Sequence, residues 1–184
     1  MKTKIVKDLM VRLSEYATVS EEASLYEAVM ALENAQLGFD QTRDRHRAIL
    51  IFDKNKRIVG KIGQIDILRA LEPKYEKIIE KGSFARLGLS PMYLKSLIEQ
   101  YKLWNKPLTD ICRKAAELKV KTFMHTPTEG EFVDENASLD EAINQLIMGH
   151  HQSLLVTRNT EIVGILRLTD VFMEIVRNIK ACKL

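Results

Sequence analysis

The chain contains two copies of one sequence unit, and this internal repeat limits its fold more than any other feature. Residues 5–32 align without gaps to residues 119–146, with 12 identities in 28 positions. The register then changes, and residues 50–60 align with residues 154–164. Two copies in register predict two similar folding units. The first copy carries about ten additional residues near Leu37 to Arg47, which we expect to form a solvated loop.

Both copies predict the same order of secondary structure. In each, Ser24 or Ser138 precedes apolar residues at helical spacing, and Glu27 or Glu141 follows three residues later, as in a capping box. Two short runs of branched apolar residues then flank a polar turn, which predicts a β-hairpin, and a second helix follows. Each unit is therefore predicted as strand, helix, strand, strand, helix. The elements are expected at 18–19, 25–32, 48–52, 58–62 and 64–70 in the first copy, and at 132–133, 139–146, 153–156, 161–166 and 168–180 in the second.

The segment between the two copies has a different character. Apolar residues recur at helical spacing from Pro73 to about Gly82, over 92–103 and again over 108–118, which predicts three helices. The last of them places Cys112 as a small buried hydrophobic residue. The turn before residue 92 also resembles that of a helix-turn-helix. Since the helix after it carries only Lys95 and Lys102 as basic residues, its apolar stripe favours packing over DNA binding.

Composition excludes several classes of protein. With 46% hydrophobic residues the chain can fill a core, and a formal net charge of +3 does not by itself indicate a nucleic-acid or membrane partner. The longest apolar run, residues 48–52, is too short to cross a membrane. Because the first residues are charged and no apolar signal segment follows, we expect a cytoplasmic protein. Cys112 and Cys182 are too few and too far apart for a disulfide framework or a metal site.

The sequence also disfavours catalysis. It contains no Ser-His-Asp order, no Gly-rich phosphate loop and no His-Glu-x-x-His helix, so we expect no enzyme activity. His150 and His151 are adjacent and would point to opposite sides of an extended chain, which disfavours metal binding.

Four short motifs recur in both copies and carry a family resemblance. They are VKDLM at 6–10, ASLYEA at 23–28, IVG at 58–60 and Asp66 in the first copy, and VKTFM at 120–124, ASLDEA at 137–142, IVGIL at 162–166 and Asp170 in the second. Together they resemble a tandem CBS domain protein, or Bateman module, over residues 1–71 and 117–180. The resemblance implies an α/β (α+β) fold in which two β-α-β-β-α repeats pack as a pseudo-two-fold pair. The expected divisions are repeat one at 1–71, an α-helical insertion at 72–116 and repeat two at 117–184.

That resemblance implies a regulatory function without catalysis or a required cofactor. Members of the family bind adenine nucleotides or adenosyl ligands in clefts between the repeats, so AMP, ADP, ATP or S-adenosylmethionine is the expected ligand. We expect a homodimer that transmits ligand occupancy to a protein partner whose identity the sequence does not give. One alternative is a ligand-free scaffold for dimerisation or assembly. A DNA-binding regulator acting through the helical insertion is a weaker alternative.

The resemblance also places candidate ligand residues. In the family, a glycine ends the second hairpin strand, a Ser or Thr follows three positions later, and an Asp that accepts ribose hydroxyl groups comes three after that. The corresponding residues are Gly60, Gly63 and Asp66 in the first copy and Gly164, Arg167 and Asp170 in the second, with Thr18 as a further candidate.

Two of these positions depart from the family pattern, because Gly63 and Arg167 replace the hydroxyl residue. Each aspartate either contacts a ligand or only stabilises the helix dipole from its first turn. The Arg167 guanidinium either binds a phosphate in a bidentate manner, or extends into solvent or pairs with a nearby acid.

The insertion and the repeat junctions supply weaker candidates. Arg43, Arg45 and Arg47 flank His46 and could line a path for a polyphosphate, although a solvated loop is the favoured interpretation. His125 follows the second VKTFM motif and, by the resemblance, lies near the mouth of a cleft.

Overall fold

The structure is a computed structural model that describes residues 4–72, 74–75, 91–103 and 108–182. Two small β-sheets lie at its centre, and the order of elements confirms the strand, helix, strand, strand, helix pattern in both copies. The strands are β1 (Val11–Arg12), β2 (Thr18–Ser20), β3 (Ala48–Phe52), β4 (Ile58–Gly63), β5 (Phe132–Asp134), β6 (Ser153–Arg158) and β7 (Glu161–Arg167). The helices are α1 (Leu25–Leu37), α2 (Gln64–Leu71), α3 (Pro91–Tyr101), α4 (Leu108–Glu117), α5 (Leu139–Met148) and α6 (Leu168–Ala181).

The two sheets are built in the same way. In the first, β2 pairs in parallel with β3, which forms an antiparallel hairpin with β4. In the second, β5 pairs in parallel with β6, which forms an antiparallel hairpin with β7. Both hairpins shift register once, at Ile51/Phe52 and at Val156/Thr157. These points are equivalent in the pairing, because Ile51 lies opposite Gly60 and Val156 opposite Gly164, which moves β6 by one residue from the alignment of 50–60 with 154–164. The sequence repeat is therefore a repeat of backbone geometry.

The capping signals of the first helix in each copy are confirmed to different extents. Ser24 accepts a hydrogen bond from the Glu27 backbone N–H at 3.2 Å, and the Glu27 carboxylate accepts one from the Ser24 N–H at 2.6 Å. Ser138 accepts the equivalent bond from the Glu141 N–H at 3.3 Å. A complete capping box thus begins α1, whereas the side chain of Ser138 alone caps α5.

The segment that begins each repeat packs into the core of the other repeat. The N-terminal strand β1 pairs with β7, and Val6 lies fully buried in the core of the second repeat. In the matching exchange, Val120 packs in the core of the first repeat and His125 bridges to Lys61 on β4. The two repeats are therefore joined through their cores as well as through their facing surfaces.

Glycines make this exchange sterically feasible. A side chain at Gly164 would meet the Val11 carbonyl oxygen, and one at Gly60 would meet the Met124 side chain and the His125 carbonyl oxygen. Because glycine has no Cβ, the exchanged segment can lie directly against the hairpin strand in both repeats.

A third apolar cluster lies between the two sheets. Leu50 from β3 and Leu155 from β6 are fully buried there, together with Ile165. Tyr16 and Phe39 extend the cluster toward the edge of the repeat interface. These contacts hold the sheets together around the approximate two-fold axis.

Of the three helices predicted between the repeats, those over 92–103 and 108–118 are present as α3 and α4, and the one from Pro73 to about Gly82 lies mostly outside the described residues. Helix α4 packs against α1 and α2, and the Lys114 ammonium donates to the Leu71 carbonyl oxygen at 2.7 Å. The prediction that Cys112 is buried is wrong, because its side chain is exposed on α4. Helical spacing identifies a face of α4, but it does not determine whether another element covers that face. The turn suggested to resemble a helix-turn-helix falls mostly outside the described residues.

Candidate ligand-binding site

Two cavities lie where the repeats meet, each at the N-terminus of the helix that follows a hairpin. The first, of about 570 Å³, adjoins α2 and is called the basic cleft. The second, of about 510 Å³, adjoins α6 and is called the acidic cleft. Five Lys or Arg residues and two Asp or Glu residues line the basic cleft. Two Arg and four Asp residues line the acidic cleft. The charged residues are Arg45, Arg47, Lys61, Asp66, Arg69, Glu131 and Arg167 in the basic cleft, and Asp8, Asp40, Arg43, Asp44, Asp170 and Arg177 in the acidic cleft.

In the basic cleft, Asp66 caps its own helix. Its Oδ2 accepts a hydrogen bond from the Gly63 backbone N–H at 2.8 Å, which stabilises the first turn of α2. Among the described residues, no side chain pairs with this carboxylate, so Oδ1 keeps its capacity to accept further hydrogen bonds. Asp66 is half-buried and faces the cavity, as a ligand contact would require.

A buried carboxylate, Glu131, forms another wall of the basic cleft. It forms an ion pair with Lys61 and also accepts hydrogen bonds from His125 Nε2 at 2.6 Å and from the Thr128 N–H at 3.0 Å. Burial raises the pKa of Glu131, but these donors, Lys61 foremost, outweigh burial and lower the pKa to about 2. Lys61 and His125 are thereby positioned at the cavity by a fixed anion.

Several basic groups of the basic cleft remain available to a ligand. Arg45, Arg47 and Arg69 are exposed, and none of them forms an ion pair with a residue that the structure describes. His150 and His151 line the same cavity from the second repeat. The cleft therefore presents exposed guanidinium groups beside the Asp66 carboxylate, which can accept further hydrogen bonds.

In the acidic cleft, the equivalent carboxylate of Asp170 is fully engaged. The Arg167 Nε donates to Oδ2 at 2.5 Å and its Nη2 to Oδ1 at 2.7 Å, which is a bidentate pair. Arg43 adds a third contact, from Nη2 to Oδ1 at 2.9 Å. Of the two interpretations of Arg167, pairing with a nearby acid is the one found. The acid lies three residues farther along the chain, in the first turn of α6.

The Arg167 side chain also joins the two repeats. It is 4% exposed, and its Nη1 donates to the Asp44 carbonyl oxygen at 2.7 Å and lies 3.5 Å from His46 Nδ1. His46 is buried between the rings of Tyr16 and Phe39, whose centroids lie 4.5 Å and 4.2 Å away. Burial and the nearby Arg167 charge lower the pKa of His46 to about 4, so this ring is neutral near pH 7. Burial also raises the pKa of Tyr16 to about 12.

The expectation that the insertion of the first copy is a solvated loop is confirmed for most of it, since eight of residues 37–47 are exposed, and is wrong for Phe39, His46 and Arg43. Phe39 and His46 are 6% and 4% exposed, and Arg43 lies across the interface on Asp170. Polar composition suggested exposure, but the two rings pack in the central cluster and the arginine has a buried counter-charge. Arg45 and Arg47 are exposed, as expected, although both line the basic cleft.

The remaining candidate residues lie away from the two cavities. Gly60 and Gly164 lie beneath the exchanged segments, where their role is steric. Thr18 pairs with Leu50 in the sheet. Gly63, Asp66 and Arg167 are thus the three candidates brought together at the basic cleft, and Asp170 lines the acidic cleft. Within the described part of the chain, no three His, Cys, Asp or Glu side chains cluster as a metal ion would require.

Sequence reasoning missed several residues of these sites. Lys61 had a signal, since it is the one charged residue in the otherwise apolar run of residues 58–62. Phe39 had a weaker one, as a single aromatic residue in a polar loop. Glu131 and Arg69 had none, because their roles depend on which elements the fold brings together.

Comparison with known proteins agrees with this geometry. The family model described as CBS domain matches residues 6–73 and 120–177, which is more than half of the chain. No curated protein matches the sequence significantly. Among the described residues, no helix is long and apolar enough to cross a membrane.

Solved structures share the fold at low sequence identity. The CBS domain of a CBS domain-containing membrane protein from Sphaerobacter thermophilus is 17% identical, with a TM-score of 0.61 over 94% of this chain and 88% of that one. A CBS domain-containing protein of unknown function from Bacillus anthracis is 18% identical, with a TM-score of 0.59 over 95% and 94%. CBSX2, a CBS-pair protein of Arabidopsis thaliana, has been solved in complex with AMP, and that structure is 16% identical, with a TM-score of 0.58 over 94% and 97%. With two matching repeats that exchange their leading segments and face each other across two clefts, the chain belongs to the CBS domain family.

Proposed function

We propose that this protein is a regulatory module that binds an adenine nucleotide or a related adenosyl ligand in the basic cleft. Occupancy of the cleft is then transmitted to a protein partner. The observation that carries the proposal is the Asp66 carboxylate, which has no side-chain partner among the described residues. It lies beside exposed arginines at the N-terminus of α2. The match to the CBS domain family and the AMP complex of CBSX2 support the same class of ligand.

The chemistry of the basic cleft suits the two polar parts of a nucleotide. A carboxylate with a free acceptor position can accept hydrogen bonds from vicinal ribose hydroxyl groups. Guanidinium groups and a helix N-terminus favour a phosphate. The hydroxyl side chain that the family places between these two parts is replaced by Gly63, so Arg45, Arg47 and Arg69 would supply the phosphate contacts.

The position of the basic cleft suits a sensor. Asp66 and Arg69 come from the first repeat, whereas His151, Ser153 and Thr169 come from the second. A ligand that contacts both sides stabilises one relative placement of the repeats, and a partner that prefers that placement responds to the ligand.

We also propose that the protein acts as a homodimer in the cytoplasm. Exposed apolar residues gather on the outer faces of α1, α2 and α6, including Tyr26, Ile65, Leu68 and Phe172 at 57%, 64%, 52% and 62% exposure. A second copy of the chain would bury such faces. Sedimentation equilibrium should give twice the mass of the chain, and a monomer at micromolar concentration would contradict this.

Isothermal titration calorimetry with AMP, ADP, ATP and S-adenosylmethionine tests the ligand proposal. We expect saturable binding of at least one of them to the wild-type protein. Asp66→Asn should weaken that binding by about tenfold or more, because it removes a charged acceptor.

Asp140→Asn is the matched control for that titration. Asp140 is an exposed carboxylate in the first turn of α5, away from both cavities, and its loss should leave binding unchanged. If no compound in the panel binds, ligand sensing is excluded for this panel and the ligand-free scaffold is favoured. Equal losses in the two variants would place the ligand outside the basic cleft.

A further inference from the structure

The insertion of the first copy passes along both clefts. Residues 40–44 line the acidic cleft, whereas Arg45 and Arg47 line the basic cleft. The matching connection in the second copy, from Gly149 to the start of β6, is shorter by about ten residues. The long insertion therefore borders both clefts, whereas the short connection, through His150, His151 and Gln152, borders the basic cleft.

Both ends of the insertion are anchored in the protein interior. Phe39 and His46 are both buried, and their rings pack in a tilted arrangement with centroids 4.2 Å apart. Phe39 belongs to the apolar cluster between the two sheets. Between these two residues, the Asp40 carboxylate accepts hydrogen bonds from the Thr42 N–H at 2.8 Å and its hydroxyl at 2.7 Å. The Arg43 N–H donates to the Asp40 carbonyl oxygen at 3.1 Å, which closes a turn. These bonds fold residues 40–43 into a turn that ends at Arg43.

The Arg43 side chain lies directly on Asp170, the aspartate of the acidic cleft. Its Nη2 lies 2.9 Å from Asp170 Oδ1 and donates to the Leu9 carbonyl oxygen at 3.0 Å. Its guanidinium carbon also lies 5.4 Å from the centre of the Phe39 ring. The equivalent aspartate of the basic cleft, Asp66, has no such side-chain partner among the described residues.

We propose that residues 38–47 form an internal plug, which holds Arg43 on Asp170 and so closes the aspartate of the acidic cleft, but not the cavity beside it, to a nucleotide. The plug makes the two clefts unequal, so the chain takes one nucleotide per protomer instead of two. Opening the second cleft requires Arg43 to leave Asp170 and Leu9. The effect of the plug on nucleotide binding rests on the proposed function. The attachment of Arg43 to Asp170 does not, because it can be measured without a ligand.

Hydrogen exchange of the ligand-free protein tests the attachment. Arg43→Ala should speed amide exchange across residues 40–46 by about tenfold or more, while β6 and β7 stay protected. Arg177→Ala is the matched control, because Arg177 lines the same cavity but pairs with Glu174 on its own helix. Unchanged exchange in Arg43→Ala, or the same increase in Arg177→Ala, would overturn the plug.

Calorimetry with AMP and ATP tests the closure. The wild-type protein should bind one nucleotide per chain, and Asp66→Asn should weaken that site by about tenfold or more, so that it no longer saturates at the concentrations that saturate the wild-type protein. Adding Arg43→Ala to Asp66→Asn should restore saturable binding at one site, because an acceptor position on Asp170 Oδ1 becomes free.

The outcomes of the two experiments are separable. Two sites in the wild-type protein, or no gain in the double variant of a protein that otherwise binds, would overturn the plug. If none of AMP, ADP, ATP and S-adenosylmethionine binds the wild-type protein or the double variant, the proposed function fails, and hydrogen exchange alone then decides whether the plug exists.

Discussion

The basic and acidic clefts occupy equivalent places in two copies of one folding unit, yet their aspartates have opposite roles. Asp66 accepts a backbone hydrogen bond and keeps one oxygen open to the cavity. Asp170, at the matching position, is held by two guanidinium groups and is 9% exposed. The same motif thus provides a candidate ligand contact in one repeat and an internal ion pair in the other.

Two local changes account for this difference. At one position Gly63 is matched by Arg167, which provides a buried cation three residues before the aspartate. The insertion then adds Arg43, which reaches the same carboxylate from the other repeat. An aspartate that recurs in both copies is therefore not a ligand site by itself, because its role depends on which cations the rest of the chain brings to it.

The largest expected effect compares the two aspartates directly. Asp170→Ala should lower the free energy of unfolding by about 3–5 kcal/mol, because it leaves the buried Arg167 guanidinium without its counter-charge. Asp66→Ala should cost only about 1 kcal/mol, the value of a lost helix cap. Urea denaturation followed by circular dichroism measures both. Equal losses would mean that the two carboxylates have the same structural role after all.

The second prediction concerns pH, and it arises from the neutral His46 beside the buried ion pair. Burial lowers its pKa to about 4 in the folded protein, while the unfolded chain takes up the proton near pH 6.5. Stability is therefore complete above pH 6.5 and falls as the pH drops toward 4. Between pH 6.5 and 5 the loss should be about 2 kcal/mol.

His46→Phe should remove this slope while keeping an aromatic ring between Tyr16 and Phe39. His150→Asn is the control, because His150 is exposed and its replacement should leave the slope as it is. Glu131 in the basic cleft should contribute only below about pH 4.5, since its pKa falls to about 2 on folding. A slope that persists in His46→Phe would show that another group titrates in this range.

A third comparison uses the exchanged segments behind the clefts. A Cβ at Gly164 would lie 2.5 Å from the Val11 carbonyl oxygen, whereas a Cβ at Gly60 would first meet the flexible Met124 side chain. Gly164→Ala should therefore cost about 1–3 kcal/mol and Gly60→Ala less, because a thioether side chain can move more easily than backbone. Thermal unfolding of the two variants gives the order, and the reverse order would contradict the tighter approach at Gly164.

Much of the fold could be predicted from the sequence because its signals are local and occur twice. The β3/β4 and β6/β7 hairpins, the Ser24 cap and the first helices follow from short-range patterns that both copies share. A single occurrence of such patterns would leave alternatives open, but two occurrences in register exclude most of them.

The sites were harder to predict because they depend on long-range contacts. Arg43 and Asp170 are 127 residues apart, and the sequence contains no local sign that they meet. The polar composition of the insertion suggested a solvated loop, whereas Phe39 and His46 anchor it in the interior. Cys112 was misplaced for a related reason, since helical spacing does not reveal whether another element covers a face.

The smallest expected effect distinguishes the two clefts by their exposed arginines. Arg47→Ala should weaken AMP binding by about fivefold or less, because a solvent-exposed cation contributes only about 1 kcal/mol to a phosphate contact, and added salt should reduce the difference. Arg57→Ala, in the turn at the far end of the same hairpin, and Arg177→Ala, in the acidic cleft, should leave the affinity as it is. If Arg177→Ala weakened binding as much as Arg47→Ala, the nucleotide would lie in the acidic cleft or bridge both clefts. In that case Arg43 would have to leave Asp170 when the nucleotide binds, and the ion pair would describe only the ligand-free state of the acidic cleft.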